Sequence, residues 1–183
     1  MLSELQIRNV GTVFDTLDHD KDGFFEREDF EAIALESISG IDLDADSPHR
    51  GAVVRAFVAW WEQIREQADA DDDGRVARDE YLASVDRGLL SDPSYLDAVS
   101  GAADALFDAA DVNGDGTMSQ AEVVAIYHGI GLPDDMAADA FHQIDSDDDG
   151  KISRDEWRAA VRGAYTSIGP ETIGSNMLGH AQQ

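Results

Sequence analysis

Residues 145–156 read DSDDDGKISRDE, and the same twelve-residue pattern occurs three more times in the chain. Positions 1, 3 and 5 of each copy are Asp or Asn, position 6 is Gly, and position 12 is Glu or Asp. Gly at position 6 permits a sharp turn, because it adopts backbone angles that a Cβ atom disfavours. The side chains around such a turn can converge on one point. This spacing predicts four cages of oxygen atoms, each suited to a hard divalent cation.

We name the four copies loop I (Asp18–Asp29), loop II (Asp69–Glu80), loop III (Asp111–Glu122) and loop IV (Asp145–Glu156). Positions 1, 3, 5, 9 and 12 supply side-chain oxygens in such a loop, and position 7 supplies its backbone carbonyl. We therefore predict up to four bound Ca²⁺. The predicted side-chain ligands are Asp18, Asp20, Asp22, Glu26, Asp29, Asp69, Asp71, Asp73, Glu80, Asp111, Asn113, Asp115, Ser119, Glu122, Asp145, Asp147, Asp149 and Glu156. The predicted carbonyl ligands are those of Phe24, Arg75, Thr117 and Lys151.

Loop I differs from the other loops at position 12, where Asp29 replaces Glu. Asp is one methylene shorter and favours ligation through one oxygen, which suits the six-fold coordination of Mg²⁺. Glu26 at position 9 is long enough to restore a ligand. We expect loop I to bind a cation and to be the loop that discriminates least against Mg²⁺.

Apolar residues with helical spacing flank every loop, which predicts an all-α fold of four helix–loop–helix units in two pairs. The pairs span residues 1–90 and 94–183, and so few residues separate them that we expect one compact globule. Position 8 is apolar in each loop, and we expect Phe25 to face Val76 and Met118 to face Ile152. The long interval between loops I and II predicts long helices or an insertion near residues 40–50. The tail 165–183 is either frayed or tucked into an apolar groove.

The composition restricts the partners and the setting of the protein. A net charge of −26 repels nucleic acid and anionic lipid. Cysteine is absent, and neither a signal peptide nor an apolar span of membrane length is recognisable. We expect a cytoplasmic monomer whose partners are calcium ions, with a protein partner left open and neither nucleic acid nor membrane bound.

The fourfold pattern resembles the EF-hand superfamily over nearly the whole chain. The segment Phe24–Phe30, with Glu26 at position 9 and Asp29 at position 12, is similar to the first loop of the sarcoplasmic calcium-binding and bacterial calerythrin-type proteins. The resemblance implies a compact intracellular calcium buffer or signal modulator. The second loop of that group is commonly degenerate, whereas loop II is intact here.

Three alternatives to a calcium buffer are a calcium-triggered sensor, a luciferin-binding protein and an enzyme. A calcium-triggered sensor would use a Met-rich surface, whereas this chain has four Met. A coelenterazine-type luciferin binder or photoprotein would need a lined cavity. Its candidate lining residues are Trp60, Trp61, Trp157, Tyr165, His128 and His142. An enzyme is not expected, because the His residues are scattered and catalytic or phosphate-binding motifs are not recognisable.

Overall fold

A computed structural model describes residues 2–166, and helices flank each loop on both sides within this range. The helices are α1 (Glu4–Leu17), α2 (Arg27–Ser37), α3 (Pro48–Ala68), α4 (Arg78–Arg87), α5 (Pro93–Ala110), α6 (Gln120–Gly129), α7 (Asp134–Ile144) and α8 (Arg154–Thr166). One 3-10 turn, Leu89–Ser91, precedes α5. The prediction of an all-α fold is confirmed, whereas the count of four EF-hand units stays a prediction. The predicted behaviour of the tail concerns residues that lie mostly outside the described range.

Two short antiparallel ladders join the loops in pairs. The strands are β1 (Phe24–Phe25), β2 (Val76–Ala77), β3 (Thr117–Met118) and β4 (Ile152–Ser153). β1 pairs with β2 and β3 pairs with β4, so that Phe25 faces Val76 and Met118 faces Ile152. These four side chains are fully buried. Both predicted facing pairs are confirmed, because an apolar position 8 in each loop can be buried against its counterpart.

The two halves share one hydrophobic core. α3 of the first half packs extensively along α5 of the second half. The Trp60 ring on α3 lies 4.7 Å from the Tyr165 ring on α8, measured between centroids. The predicted single globule is confirmed, whereas the division into domains at residues 90 and 94 stays a prediction.

The long interval between loops I and II contains one long helix rather than two. α3 has 21 residues, whereas α2 has 11. Residues 38–47 form turns and irregular backbone between them. Pro48 begins α3, where a missing N–H group costs no intrahelical hydrogen bond, and the Ser47 hydroxyl accepts a bond from the His49 amide.

The two halves also approach closely at Gly40 and Gly129. Gly40 lies against the Ala125 carbonyl and Gly129 lies against the Glu36 carbonyl, so a Cβ atom at either glycine would overlap backbone. The Ser39 hydroxyl also donates to the Gly129 carbonyl. The segment that follows α2 is thereby held on the end of α6.

Candidate metal centres

All four loops share the same connection between position 1 and position 6. The Asp at position 1 accepts a hydrogen bond from the amide of the Gly at position 6, over 2.9–3.1 Å. The four donors are Gly23, Gly74, Gly116 and Gly150, all with positive φ. Position 4 also has positive φ in each loop, at Lys21, Asp72, Gly114 and Asp148. This backbone path folds each loop back on its first residue.

The side chains at positions 3 and 5 turn inward through local hydrogen bonds. Each position 3 oxygen accepts the amide of position 5, over 2.8–3.3 Å. Each position 5 carboxylate accepts the amide of position 7, over 2.8–3.0 Å. Such Asx turns fix the orientation of short polar side chains. The oxygens of positions 1, 3 and 5 are therefore oriented by hydrogen bonds within each loop.

Three of the loops bring acidic oxygens within 4.8 Å of one another. The converging sets are Asp18, Asp20 and Asp22; Asp69, Asp71 and Asp73; and Asp145, Asp147 and Glu156. Asn113 replaces a carboxylate in loop III, and no comparable set of three acids occurs there in the described part of the chain. The amide oxygen of Asn113 remains a suitable neutral ligand for Ca²⁺.

The carboxylate at position 12 ties the exiting helix to the loop. One of its oxygens accepts the amide of position 9, over 2.7–2.8 Å, in every loop. Its other oxygen accepts the amide of position 2 in loops I, II and IV. In loop III, Asn113 Nδ2 donates to Glu122 Oε1 over 3.2 Å instead. Ser119 and Glu122 form a capping box, in which the Ser119 hydroxyl accepts the Glu122 amide and the Glu122 carboxylate accepts the Ser119 amide.

Loop I contains an oxygen that needs a positively charged partner. Asp18 Oδ1 is buried and has no hydrogen-bond partner among the described residues. In the other loops the corresponding oxygen accepts the amide of position 5. A buried anionic oxygen without a partner is costly, and a bound cation would remove that cost. The donor set of loop I therefore fits a divalent cation.

Burial and mutual repulsion also affect the protonation of loop I. Desolvation raises the pKa of Asp29, which is 5% exposed. Desolvation and the nearby Asp22 carboxylate raise the pKa of Glu26. A divalent ion would oppose both shifts, because it favours the charged form of each carboxyl group.

The predicted carbonyl ligands lie at the ladders. Phe24 and Thr117 are the first residues of β1 and β3, and Arg75 and Lys151 immediately precede β2 and β4. The ligand roles of these carbonyls and of the side chains listed from sequence stay predictions. Sequence reasoning missed that Arg75 and Lys151 extend their side chains toward the partner loop, although an antiparallel ladder with a basic residue at position 7 signals this arrangement.

A cavity of about 250 Å³ lies between the halves. Trp60, Trp157 and Tyr165 line it, as proposed from the sequence. Trp61, His128 and His142 are not among its lining residues, and this part of the prediction was wrong. His19 and Tyr127 line the cavity instead. Adjacent residues such as Trp60 and Trp61 point about 100° apart on a helix, so both rarely reach one cavity.

Comparison with known proteins gives consistent relatives. Residues 100–162 match the EF-hand domain pair family. Calerythrin of Saccharopolyspora erythraea is 26% identical over 151 residues, which cover 81% of this chain and 85% of calerythrin. A sarcoplasmic calcium-binding protein of Perinereis vancaurica tetradentata is 27% identical over 135 residues, which cover 74% of this chain and 75% of that protein. The second of these relatives is named for calcium binding and neither name denotes an enzyme, in agreement with the prediction that the chain is not an enzyme.

A solved structure covers most of both chains. The Streptomyces coelicolor calcium-binding protein, described in connection with prokaryotic calcium-mediated regulation, superimposes with a TM-score of 0.78 at 27% identity. The match covers 90% of this chain and 99% of that one. The fold, the loop geometry and these relatives agree with the resemblance seen in the sequence. Residues 100–162 match the EF-hand domain pair family, and over most of its length the chain is similar to calerythrin and to a sarcoplasmic calcium-binding protein.

Proposed function

We propose that this protein binds Ca²⁺ through its four loops and acts as a calcium buffer or a modulator of calcium signals. The single observation that supports ion binding most directly is the buried Asp18 Oδ1, which has no partner among the described residues. The oriented oxygens of the other three loops add to it. Mg²⁺ is the competing ion, above all in loop I, where position 12 is Asp29. The cytoplasm and a monomeric state are the setting we propose.

The packing between the halves favours a buffer over a sensor. A calcium sensor exposes an apolar groove when its helices open. Here the apolar faces cover one another, because Trp60 lies at the ring of Tyr165 and α3 lies along α5. Opening one half would expose the core of the other half as well. We therefore expect calcium to stabilise this packing and to change the exposed apolar surface only slightly.

A dye that fluoresces on exposed apolar surface tests this function. The full chain is compared after treatment with a chelator and after saturation with Ca²⁺, with calmodulin as a positive control. We expect less than a twofold rise in fluorescence on adding Ca²⁺. A rise comparable to that of calmodulin would overturn the buffer assignment and favour a calcium-triggered regulator, the role indicated by the description of the Streptomyces coelicolor protein.

The cavity supports a second candidate function, the binding of an aromatic luciferin. The Tyr127 hydroxyl is buried without a hydrogen-bond partner among residues 2–166, and Tyr127 lines the cavity. A ligand with an acceptor oxygen would satisfy this donor. Absorbance of the purified protein at wavelengths longer than those absorbed by Trp and Tyr would reveal a bound chromophore. Added coelenterazine that leaves Trp fluorescence unchanged would contradict this candidate.

A further inference from the structure

The side chain of Lys151 in loop IV contacts a predicted ligand of loop III. Its Nζ atom lies 3.1 Å from Asp115 Oδ2 and 3.2 Å from the Thr117 hydroxyl oxygen. The β3–β4 ladder creates this contact, because Thr117 faces Ser153 and the end of loop IV is thereby brought beside loop III. Lys151 also remains part of its own loop, since its amide donates to Asp149.

Both oxygens of Asp115 already have partners. Oδ1 accepts the amide of Thr117 over 3.0 Å and its hydroxyl over 2.6 Å, and Oδ2 accepts the Lys151 ammonium group. These contacts lower the pKa of Asp115, the Thr117 hydroxyl most and Lys151 next. An ion entering loop III must share Asp115 with a positive charge that is already present.

Loop I provides the contrast within the same molecule. The equivalent basic residue is Arg75 of loop II, whose guanidinium lies 3.2 Å from Asp73 of its own loop and 3.8 Å from Glu26. It also lies over the Phe24 ring at 4.0 Å. Arg75 thus approaches the loop I carboxylate of Glu26 at a longer distance than Lys151 approaches Asp115, and Asp18 Oδ1 has no partner among the described residues.

We propose that the Lys151 side chain competes with the ion of loop III, so that loop III binds Ca²⁺ more weakly than its own ligands would allow and fills after loop I. This inference rests on the proposed function and adds an order of filling to it. A unit charge about 5 Å from a divalent ion in water is worth roughly a tenfold change in affinity. The backbone carbonyl of Lys151, a predicted ligand of loop IV, is not altered by changing the side chain.

The four position 6 glycines allow each loop to be followed separately. Each Gly amide donates to the position 1 Asp of its own loop, so its ¹⁵N–¹H signal reports that loop. The full chain is titrated in calcium buffers as wild type, Lys151→Met, Lys151→Arg and Arg8→Met. Lys151→Arg keeps the charge. Arg8→Met is the charge-matched control, because Arg8 is an exposed residue of α1, a helix of the other half of the molecule.

We expect the Gly116 midpoint of Lys151→Met to move to a roughly tenfold lower free Ca²⁺ concentration, whereas Lys151→Arg stays within about threefold of wild type. Gly23 should respond before Gly116 in wild type and should not move in any variant. An unchanged Gly116 midpoint in Lys151→Met, or an equal shift in Arg8→Met, would overturn the inference while the proposed function stands. If none of the four Gly signals responded to Ca²⁺ in wild type, the proposed function would fail as well.

Discussion

Loops I and III have the same backbone path but enclose different amounts of negative charge. Both bind the position 6 amide with the position 1 Asp. Five predicted ligands of loop I are carboxylates, namely Asp18, Asp20, Asp22, Glu26 and Asp29. One of their oxygens, Asp18 Oδ1, is buried without a partner among the described residues. Loop III has Asn113 at position 3 and receives the ammonium group of Lys151.

The difference shows that the shape of a loop and the charge it encloses depend on different residues. Gly at position 6 and the Asx turns at positions 3 and 5 determine the shape of a loop. The choice of Asp, Asn or a neighbouring Lys determines how much uncompensated charge that shape encloses. Substitutions can change the loop ligands, the enclosed charge and the contact that joins the two halves one at a time.

Removing the position 12 carboxylate has the largest expected effect on calcium binding. Glu156→Gln should abolish the stabilisation that loop IV gains from Ca²⁺, about 4 kcal/mol at a thousandfold excess over Kd. The measurement is the difference in Tm with Ca²⁺ and with chelator. This difference is taken within each variant, because Glu156 also accepts hydrogen bonds from Ser146 and Ser153.

Asp155→Asn is the matched control for this substitution. It removes the same charge from the adjacent residue, whose side chain is 94% exposed. We expect its calcium-dependent rise in Tm to equal that of wild type. Equal losses in both variants would mean that overall charge, rather than ligation at position 12, governs the response.

The contact that joins the halves can be tested through Gly40. Gly40→Ala should destabilise the protein by about 1–3 kcal/mol, because the new methyl group would overlap the Ala125 carbonyl. Gly101→Ala is the control, since a Cβ atom there meets nothing within 4 Å. Because Ala loses less conformational entropy than Gly in a helix, Gly101→Ala should be more stable than wild type by about 0.5–1 kcal/mol. Urea unfolding measures both changes, and a neutral Gly40→Ala would contradict the close approach of α2 and α6.

Lengthening the position 12 residue tests why loop I differs from the other loops. Asp29→Glu should increase the preference of loop I for Ca²⁺ over Mg²⁺ by roughly tenfold, about 1.4 kcal/mol, because Glu can supply both oxygens. Titration of Gly23 with each ion measures the ratio. Asp79→Glu adds the same methylene at an exposed residue of loop II and should not alter it. A reduced ratio in Asp29→Glu would show that the buried site cannot accept the longer side chain.

The smallest expected effect is a contrast in pH dependence between two position 12 residues of the calcium-free protein. Hydrogen bonds from Ser153 and Ser146 lower the pKa of Glu156 to about 2, the Ser153 amide contributing most. Its stabilisation is therefore present above the ordinary pKa of 4.5 and is lost as the pH falls toward 2. Burial raises the pKa of Asp29 above 3.8. Its contribution has the opposite sign: it is present below 3.8 and is lost as the pH rises through the raised pKa.

Carboxyl ¹³C shifts of the chelator-treated protein measure both titrations. We expect Asp29 to keep its proton to a higher pH than Glu156. If Glu156 kept its proton to a higher pH than Asp29, the view that loop I encloses negative charge without a partner would be contradicted. Because a ligand must be ionised, acid should also weaken Ca²⁺ binding.

The repeated pattern was sufficient to predict the loops and their pairing. Each loop carries its own turn residues, and the resemblance to paired EF-hands placed the apolar position 8 residues opposite each other as Phe25–Val76 and Met118–Ile152. The long first interval was also recognisable, although the sequence did not show that α3 alone is long. These features depend on neighbours in the chain or on one repeated contact.

Features that depend on how helices cross were not predicted. Gly40 and Gly129 read as ordinary turn and helix-end glycines until the halves are placed together. The residues that line the cavity depend on helix rotation, which is why His128 and His142 were assigned to it wrongly. The Lys151–Asp115 contact could be predicted only in part. The ladder register implies that the Lys151 side chain lies near loop III but does not determine which oxygen it contacts.

Calcium stoichiometry tests the central claim most directly. The full chain is stripped of metal by chelator and dialysed against buffered micromolar ⁴⁵Ca²⁺, and the bound ion is counted for each chain. Four loops with oriented oxygen ligands predict four equivalents of Ca²⁺. Binding of less than one equivalent would contradict the account that these loops are metal centres.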